Sequence, residues 1–320
     1  MTNDNVFNHF KIHTQYSICQ GAIKIDDLAF HCKNSKISSI GICDSFNLCG
    51  ALEFAEKISK SGTQPLIGTE INFLLHGIVG KVPLFATSQQ GYKSLIKLSS
   101  KSYLETDEKN DPQCKLTDLF DSSNGIIVLS GNHQGLFGKL FKINKLKQIE
   151  ETFKKLKEIF EDKFYFEIQR HNDISEENYE NYLINVSEKL EIPLIASQEI
   201  FYMKQDMHEA HDALICIGEK TFVDDTKRER LNNQHYLKSN DELIKLYDDI
   251  PEALENNYNF PFRFNFKPKK SIPILPSIQT NKNMTVETEL LNQANLGLKN
   301  RLENFIYKKN LTNDREEISK

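Results

Sequence analysis

The chain has 320 residues, 39% of them hydrophobic and 27% charged, with a formal net charge of −5; it can build one large or two ordinary domains, and its surface as a whole does not attract nucleic acid. No apolar run reaches the ~18 residues that cross a bilayer, and no basic-then-apolar leader opens the sequence. The six cysteines include no CxxC pair, which argues against a zinc knuckle or thioredoxin motif and for reduced thiols in a cytoplasmic protein.

Along the chain, short apolar runs alternate with amphipathic stretches. Residues 6–12 read as a strand, 23–35 as a helix, 37–43 as a strand, and 48–62 as a helix stopped by Gly62. Strands follow at 65–75 and 82–87, a helix at 91–104, a strand at 125–131, a helix at 143–160, a strand at 164–170, a helix at 174–190 and a strand at 192–200. Beyond residue 200 the pattern gives a helix over 207–220, a polar connection over 221–239, and two short helices within 240–260, broken before Pro251. A Pro- and Lys-containing linker, 261–284, leads to one amphipathic helix over 285–309 with Leu291, Leu298, Leu302 and Phe305 on a face. The β-then-α alternation predicts a parallel sheet covered by helices. About seven such units, with no GxGxxG after the first strand, predict a closed barrel with its chemistry at the strand C-terminal ends.

The polar residues at those ends are His13 and Gln20, Asp44 and Ser45, Glu70, Lys81, Asn132 and His133, His171, and Glu199 with Phe201. A catalytic zinc takes about three protein ligands, and a multinuclear phosphoesterase takes more. His13, Asp44, Glu70, His171 and Glu199 are of the right types. Lys11 and Lys81 are not, because an ammonium repels a cation, and Phe201 cannot coordinate. The HEAH of 208–211 is one residue short of the zinc-binding HExxH spacing. Tyr16 reads as packing on the barrel and Gly21 as a tight turn. Arg263, Lys267, Lys269 and Lys270 lie in an acid-free run, 261–276, and are candidates for phosphate contact.

HTQYSICQG, GICDSFNLCGALEFA, QPLIGTEINF, GYKSLIKLSSKSY, GIIVLSG, FYFEIQRH, EIPLIASQEIFY, EAHDALICI and YDDIPEALENN occur in this order. Together they resemble the N-terminal polymerase-and-histidinol-phosphatase (PHP) domain of bacterial DNA polymerase III alpha subunits, over nearly all of residues 7–260. The resemblance implies a distorted TIM-like (β/α)7 barrel of PHP type over 1–260, the linker 261–284, and over 285–320 the helical start of a palm region. Metal-binding members read HxH after the first strand, an acid before the glycine, Asp-His after the second strand, a histidine before VPLFAT, a Cys or His after LSG, and a final Asp-x-His. Here His13 and Glu70 match and Glu199 matches in part. Lys11, Gln20, Ser45, Lys81, Asn132 and Phe201 depart, so the expectation is a metal-free, vestigial site in which the lysines pair with Glu70 or Glu199.

By the same resemblance, the segment is a structural and partner-binding platform in a DNA-directed DNA polymerase, without a cofactor or catalytic residue of its own. Magnesium belongs to the palm of the longer protein, and no DxD-type palm motif follows residue 260. DNA, a proofreading exonuclease subunit and other replisome subunits are the implied partners, with no membrane. The competing readings are an active metal-dependent 3′–5′ exonuclease or phosphoesterase on the same barrel, and a stand-alone small-phosphate enzyme such as a histidinol phosphatase. The polymerase-specific segments, DDIPEAL among them, argue against the last.

Overall fold

The computed structural model describes residues 6–228, 230–276, 280 and 284–307. The chain divides into two compact units, Met1–Lys270 and Ser271–Lys320. The first contains strands β1 (Ser39–Ser45), β2 (Gln64–Leu75), β3 (Ile78–Ala86), β4 (Cys114–Lys115), β5 (Ile126–Leu129), β6 (Phe164–Gln169) and β7 (Leu194–Ser197). Its helices are α1 (Ile25–Ser35), α2 (Ala51–Lys60), α3 (Gln89–Leu104), α4 (Leu116–Phe120), α5 (Leu136–Lys142), α6 (Leu146–Phe160), α7 (Ile174–Leu190), α8 (His208–Glu219), α9 (Asn240–Leu246) and α10 (Pro251–Asn259). The helix expected over 143–160 is α6, and ahead of it α5 stands where no helix was expected, the two separated at Asn144 in the left-handed region.

The sheet runs β1-β2-β3-β5-β6-β7, with β4 beside β2. It is not all parallel, as the alternation predicted: β3 is antiparallel to both β2 and β5. His76 and Gly77, at φ 50 and 80, turn β2 straight back into β3, which matches the two-residue hairpin turn with both central φ positive. The gap between β1 and β7 is closed by the first segment. The amides of Gly41 and Cys43 donate to the carbonyls of His9 and Ile12 at 2.8 Å each, and on the other side His13 N donates to Ile200 O at 2.9 Å. The result is a distorted TIM-like ring of seven staves. Two residues on β1 face three on the first segment. This bulge lets the neighbours Phe10 and Lys11 both reach the interior, where Phe10 packs edge-on to Phe85 and Lys11 meets Glu70.

Every stave contributes to the apolar floor of that interior: Phe10, Cys43, Leu66, Phe85, Ile127 with Leu129, Tyr165 and Ile195. Phe260 and Phe264 plug it from below, Phe260 lying 4.4 Å from the Phe10 ring centroid. Gly68 leaves room for the Phe85 ring, which a Cβ there would meet at 2.5 Å. On the outer face, α1 and α2 bury Ile25, Leu28, Phe54 and Ile58 against Ile12, Ile40 and Ile42. α6 and α7 bury their apolar stripes against Phe164, Phe166 and Ile168.

In the second unit, α11 (Val286–Arg301) starts at Thr285, whose hydroxyl accepts from Thr288 N, and continues into a wider turn over Leu302–Tyr307. Leu291, Leu298 and Phe305 are exposed and Leu302 is buried. Residues 308 and 309 of the expected helix lie outside the described residues. Among the described residues no helix is long and apolar enough to cross a membrane.

Candidate functional site

The polar half of the barrel interior follows from the period of two along each strand. Two residues beyond Cys43 on β1 comes Ser45, and four beyond Leu66 on β2 comes Glu70. Two and four beyond Tyr165 on β6 come Glu167 and Gln169, and two beyond Ile195 on β7 comes Ser197. Because β3 runs backwards, its beginning lies at this end of the ring, with Asn72 opposite Lys81. In a parallel strand Lys81 would sit at the other end.

These side chains meet in a cluster around Lys11, which is 1% exposed. Its Nζ lies 2.8 Å from Glu70 Oε1, 3.5 Å from Glu167 Oε2 and 3.7 Å from Glu199 Oε1. Lys81 Nζ lies 3.2 Å from Glu70 Oε2 and donates to Ser45 Oγ at 3.1 Å and Gln20 Oε1 at 3.4 Å. His13 Nε2 is 3.1 Å from Glu199 Oε1, and Asn132 Nδ2 donates to Glu199 Oε2 at 2.9 Å. Burial opposes the charge on Lys11, but Glu167, Glu199 and Glu70 outweigh it and hold its pKa well above the usual lysine range. Burial likewise opposes ionisation of Glu70 and Glu199. Lys11 and Lys81 nevertheless hold the Glu70 carboxyl low, and Lys11 with the His13 hydrogen bond holds Glu199 lower still. Glu167 differs: burial raises its pKa against the pull of Lys11 and of bonds from Ser197 and Gln169.

The rest of the strand-end set holds the rim in place. Asp44 accepts from Thr14 N at 2.6 Å, Thr14 Oγ1 at 2.8 Å and Ser17 Oγ at 2.7 Å, so it anchors the loop after the first stave. In that loop the positive φ belongs to Cys19. Gly21 is needed for a different reason, since a Cβ there would lie 2.1 Å from Thr14 O. Tyr16 lies over Gly50 and donates to Glu53 at 2.5 Å. Phe201 stacks on His13 with ring centroids 4.5 Å apart. His171 Nε2 accepts from Glu199 N at 3.2 Å and its Nδ1 donates to Glu176 at 2.9 Å. Burial lowers the pKa of this neutral ring to about 3. His235 stacks on it at 4.1 Å and is bonded through Nδ1 to Glu199 O. His133 is buried 3.4 Å from Asp173. The HEAH histidines are bonded to separate carbonyls, His208 to Leu231 O and His211 to Gln20 O.

His13, Glu70 and Glu199, distant in sequence, do converge: one ligand atom from each lies within 4.8 Å of the others. Above them opens a cavity of about 790 Å³, bordered by Lys81, Asn132, His133 and Phe201. The PHP domain family matches residues 9–171, just over half of the chain. The chain belongs to the PHP family. Its PHP barrel is similar to part of the DNA polymerase III subunit alpha of Caulobacter vibrioides, 34% identical over 307 residues that are 93% of this chain and 27% of that protein. The same-named protein of Rickettsia bellii is 34% identical over 98% of this chain and 27% of its own length. That of Borreliella burgdorferi is 33% identical over 94% and 28%. The chain therefore spans about a quarter of the length of the curated relatives it matches.

Reading strand ends alone missed Glu167, His235 and Glu176. Glu167 carries a signal: it is an acid at the inward period of an otherwise apolar strand, FYFEIQ. Glu176 is the third residue of a capping box begun by Asp173. His235 has no local signal, because a polar connection returns it to the barrel. The basic run divides in the fold. Arg263 turns to Asp162, at 2.5 Å, and to the Tyr165 hydroxyl, while Lys267, Lys269 and Lys270 lie along α2.

Proposed function

We propose that this PHP barrel is a module of a bacterial DNA polymerase III alpha subunit whose mouth is held by ion pairs in place of metals. The similarity to three such subunits over 93–98% of the chain supports the first part. The observation that carries the second is Lys11 Nζ, 2.8 Å from Glu70 and 3.7 Å from Glu199. Two unit charges ~4 Å apart repel by about 4 kcal/mol at an effective dielectric of 20, and a divalent ion doubles that. The residues present do not fit a metal centre while that ammonium stands among them. Asn132 and Phe201 supply no charge in its place, and Lys81 adds a second ammonium.

In this reading the segment works as a structural and partner-binding platform. The complete subunit adds deoxynucleotides to a primer on DNA, using magnesium at its palm. Proofreading belongs to a separate exonuclease subunit, which together with other replisome proteins is the partner set, in the cytoplasm. A second reading, a metal-dependent 3′–5′ exonuclease or phosphoesterase, is favoured by the convergence of His13, Glu70 and Glu199 within 4.8 Å. Elemental analysis of protein purified without chelator, with a 3′-labelled primer in added manganese, separates the two. We expect no stoichiometric metal and no cleavage. Bound metal, with cleavage lost in His13→Ala, would establish the second reading.

A further inference from the structure

The three lysines that follow the barrel do not hang free. Asn265 N donates to Thr87 O at 3.2 Å, Phe266 packs on Tyr92 with centroids 5.4 Å apart, and Pro268 is buried. The first two contacts hold the segment to the end of β3 and to α3, and Lys267 and Lys270 then lie on the C-terminal half of α2. Between segment and helix runs a groove of about 330 Å³, lined by Ser59, Lys60, Lys267, Lys269, Lys270 and Glu56 among others. Lys270 is taken up by Glu56 at 2.9 Å, and Lys267 reaches only a neutral hydroxyl, Ser59 Oγ, at 3.0 Å. Lys57, on the same helix, is turned away to Asp26 and Glu53. Among the described residues, Lys60, Lys267 and Lys269 face no acid within ion-pair distance.

A helix C-terminus accounts for Lys60. It does not account for two further lysines delivered to the same groove from a segment more than 200 positions away. Three unpaired ammoniums and one hydroxyl along one groove, on a chain of net charge −5, make a local field that favours a polyanion with regularly spaced charges. We propose that the α2 groove holds the phosphate backbone of DNA without reading its sequence. The occupant is a phosphodiester backbone rather than a lone phosphate, because the lysines are strung along the groove and do not converge on a point. This contact is separate from the barrel mouth and from any palm, so its failure leaves the platform reading untouched. The metal and cleavage assays test that reading alone.

The test is fluorescence anisotropy of the 320-residue chain with a labelled duplex of about 20 base pairs, across about 50–200 mM salt. The triple variant Lys60→Ala, Lys267→Ala, Lys269→Ala is expected to bind at least about tenfold more weakly at the low-salt end, with a salt slope smaller by about 2–3. The matching triple Arg variant is expected to keep both affinity and slope. A control that replaces Lys145, just before α6, and Lys147 and Lys154 within it by alanine changes net charge equally and is expected to bind as the parent does. The proposal is overturned if the groove variant binds like the parent, if the α6 control weakens binding as much, or if anionic vesicles of phosphatidylserine are bound and the duplex is not.

Discussion

The two halves of the barrel interior are built on the same staves and differ in what holds them. The floor is phenylalanine and aliphatic packing around Phe10, Phe85 and Phe260. The mouth, one or two inward positions further along each strand, is a network in which Lys11, Lys81 and His13 satisfy Glu70, Glu199 and Glu167. Apolar burial is non-directional and indifferent to pH. Buried ion pairs stabilise only as a complete set, because a charge left without its partner keeps its desolvation cost. The comparison teaches that the floor degrades gradually, whereas the mouth fails when a single member is lost.

Acid breaks the comparison most strongly, since it acts on the mouth and spares the floor. His171, with a pKa near 3, and His235, held well below its usual value by burial, stay neutral in the fold. In the unfolded chain both take protons near 6.5. The unfolded state therefore binds more protons below that pH, and stability falls as pH drops from about 6.5. The contribution of Glu70 and Glu199 is present above the unfolded carboxylate value of about 4.3 and is lost as pH falls through their lowered folded values. Urea midpoints are expected to decline steadily from pH 7 to 4, and a flat profile would contradict the assignment of a titrating mouth.

Next in size is Lys11→Met, which strands the carboxylates and is expected to cost about 3–5 kcal/mol at neutral pH. Its penalty should shrink on acidification, as the stranded groups become neutral. A penalty that is the same at pH 7 and pH 4 would mean that the lysine serves by packing alone. Asp44→Ala leaves the three donors from Thr14 and Ser17 without an acceptor and is expected to cost about 1–3 kcal/mol, measured by chemical unfolding. Smallest is Ile127→Val on the floor, about 0.5–1.5 kcal/mol, with no dependence on pH; a pH-dependent cost there would dissolve the distinction between the halves.

Much of this was legible in the sequence, since strand and helix periods place the long strands and most helices within a few residues, though not β4, α4 or α5. α7 falls on its expected bounds, and the pairing of Lys11 and Lys81 with Glu70 or Glu199 was implied by the resemblance, which puts both lysines among the ligand positions. The antiparallel β3 was misread as parallel, although loop length marked it. A parallel crossover needs about a dozen residues, and LLHGIV offers two between β2 and β3. Glu167 was missed because attention to strand ends passes over an acid inside a strand. The bulge that turns both Phe10 and Lys11 inward leaves no local mark, because it is defined by partners at 41 and 43. His235 belongs to the same class, set by tertiary return alone.

The first stave is clasped from far along the chain. Asn8 N donates to Asn257 Oδ1 at 2.8 Å across 249 positions, and Asn257 Nδ2 returns bonds to Asn8 O and Ala196 O at 3.0 Å each. A polypeptide emerging from the ribosome therefore carries an open sheet, with the first stave bonded to β1 on one side only and unfastened at Asn8, until β7 and α10 have been made. The ring cannot close in pieces, because its last bonds join residues far apart in the chain, the kind of contact that slows folding. Residues 9–171, the stretch that marks the family, are an incomplete hoop without the asparagine that fastens it.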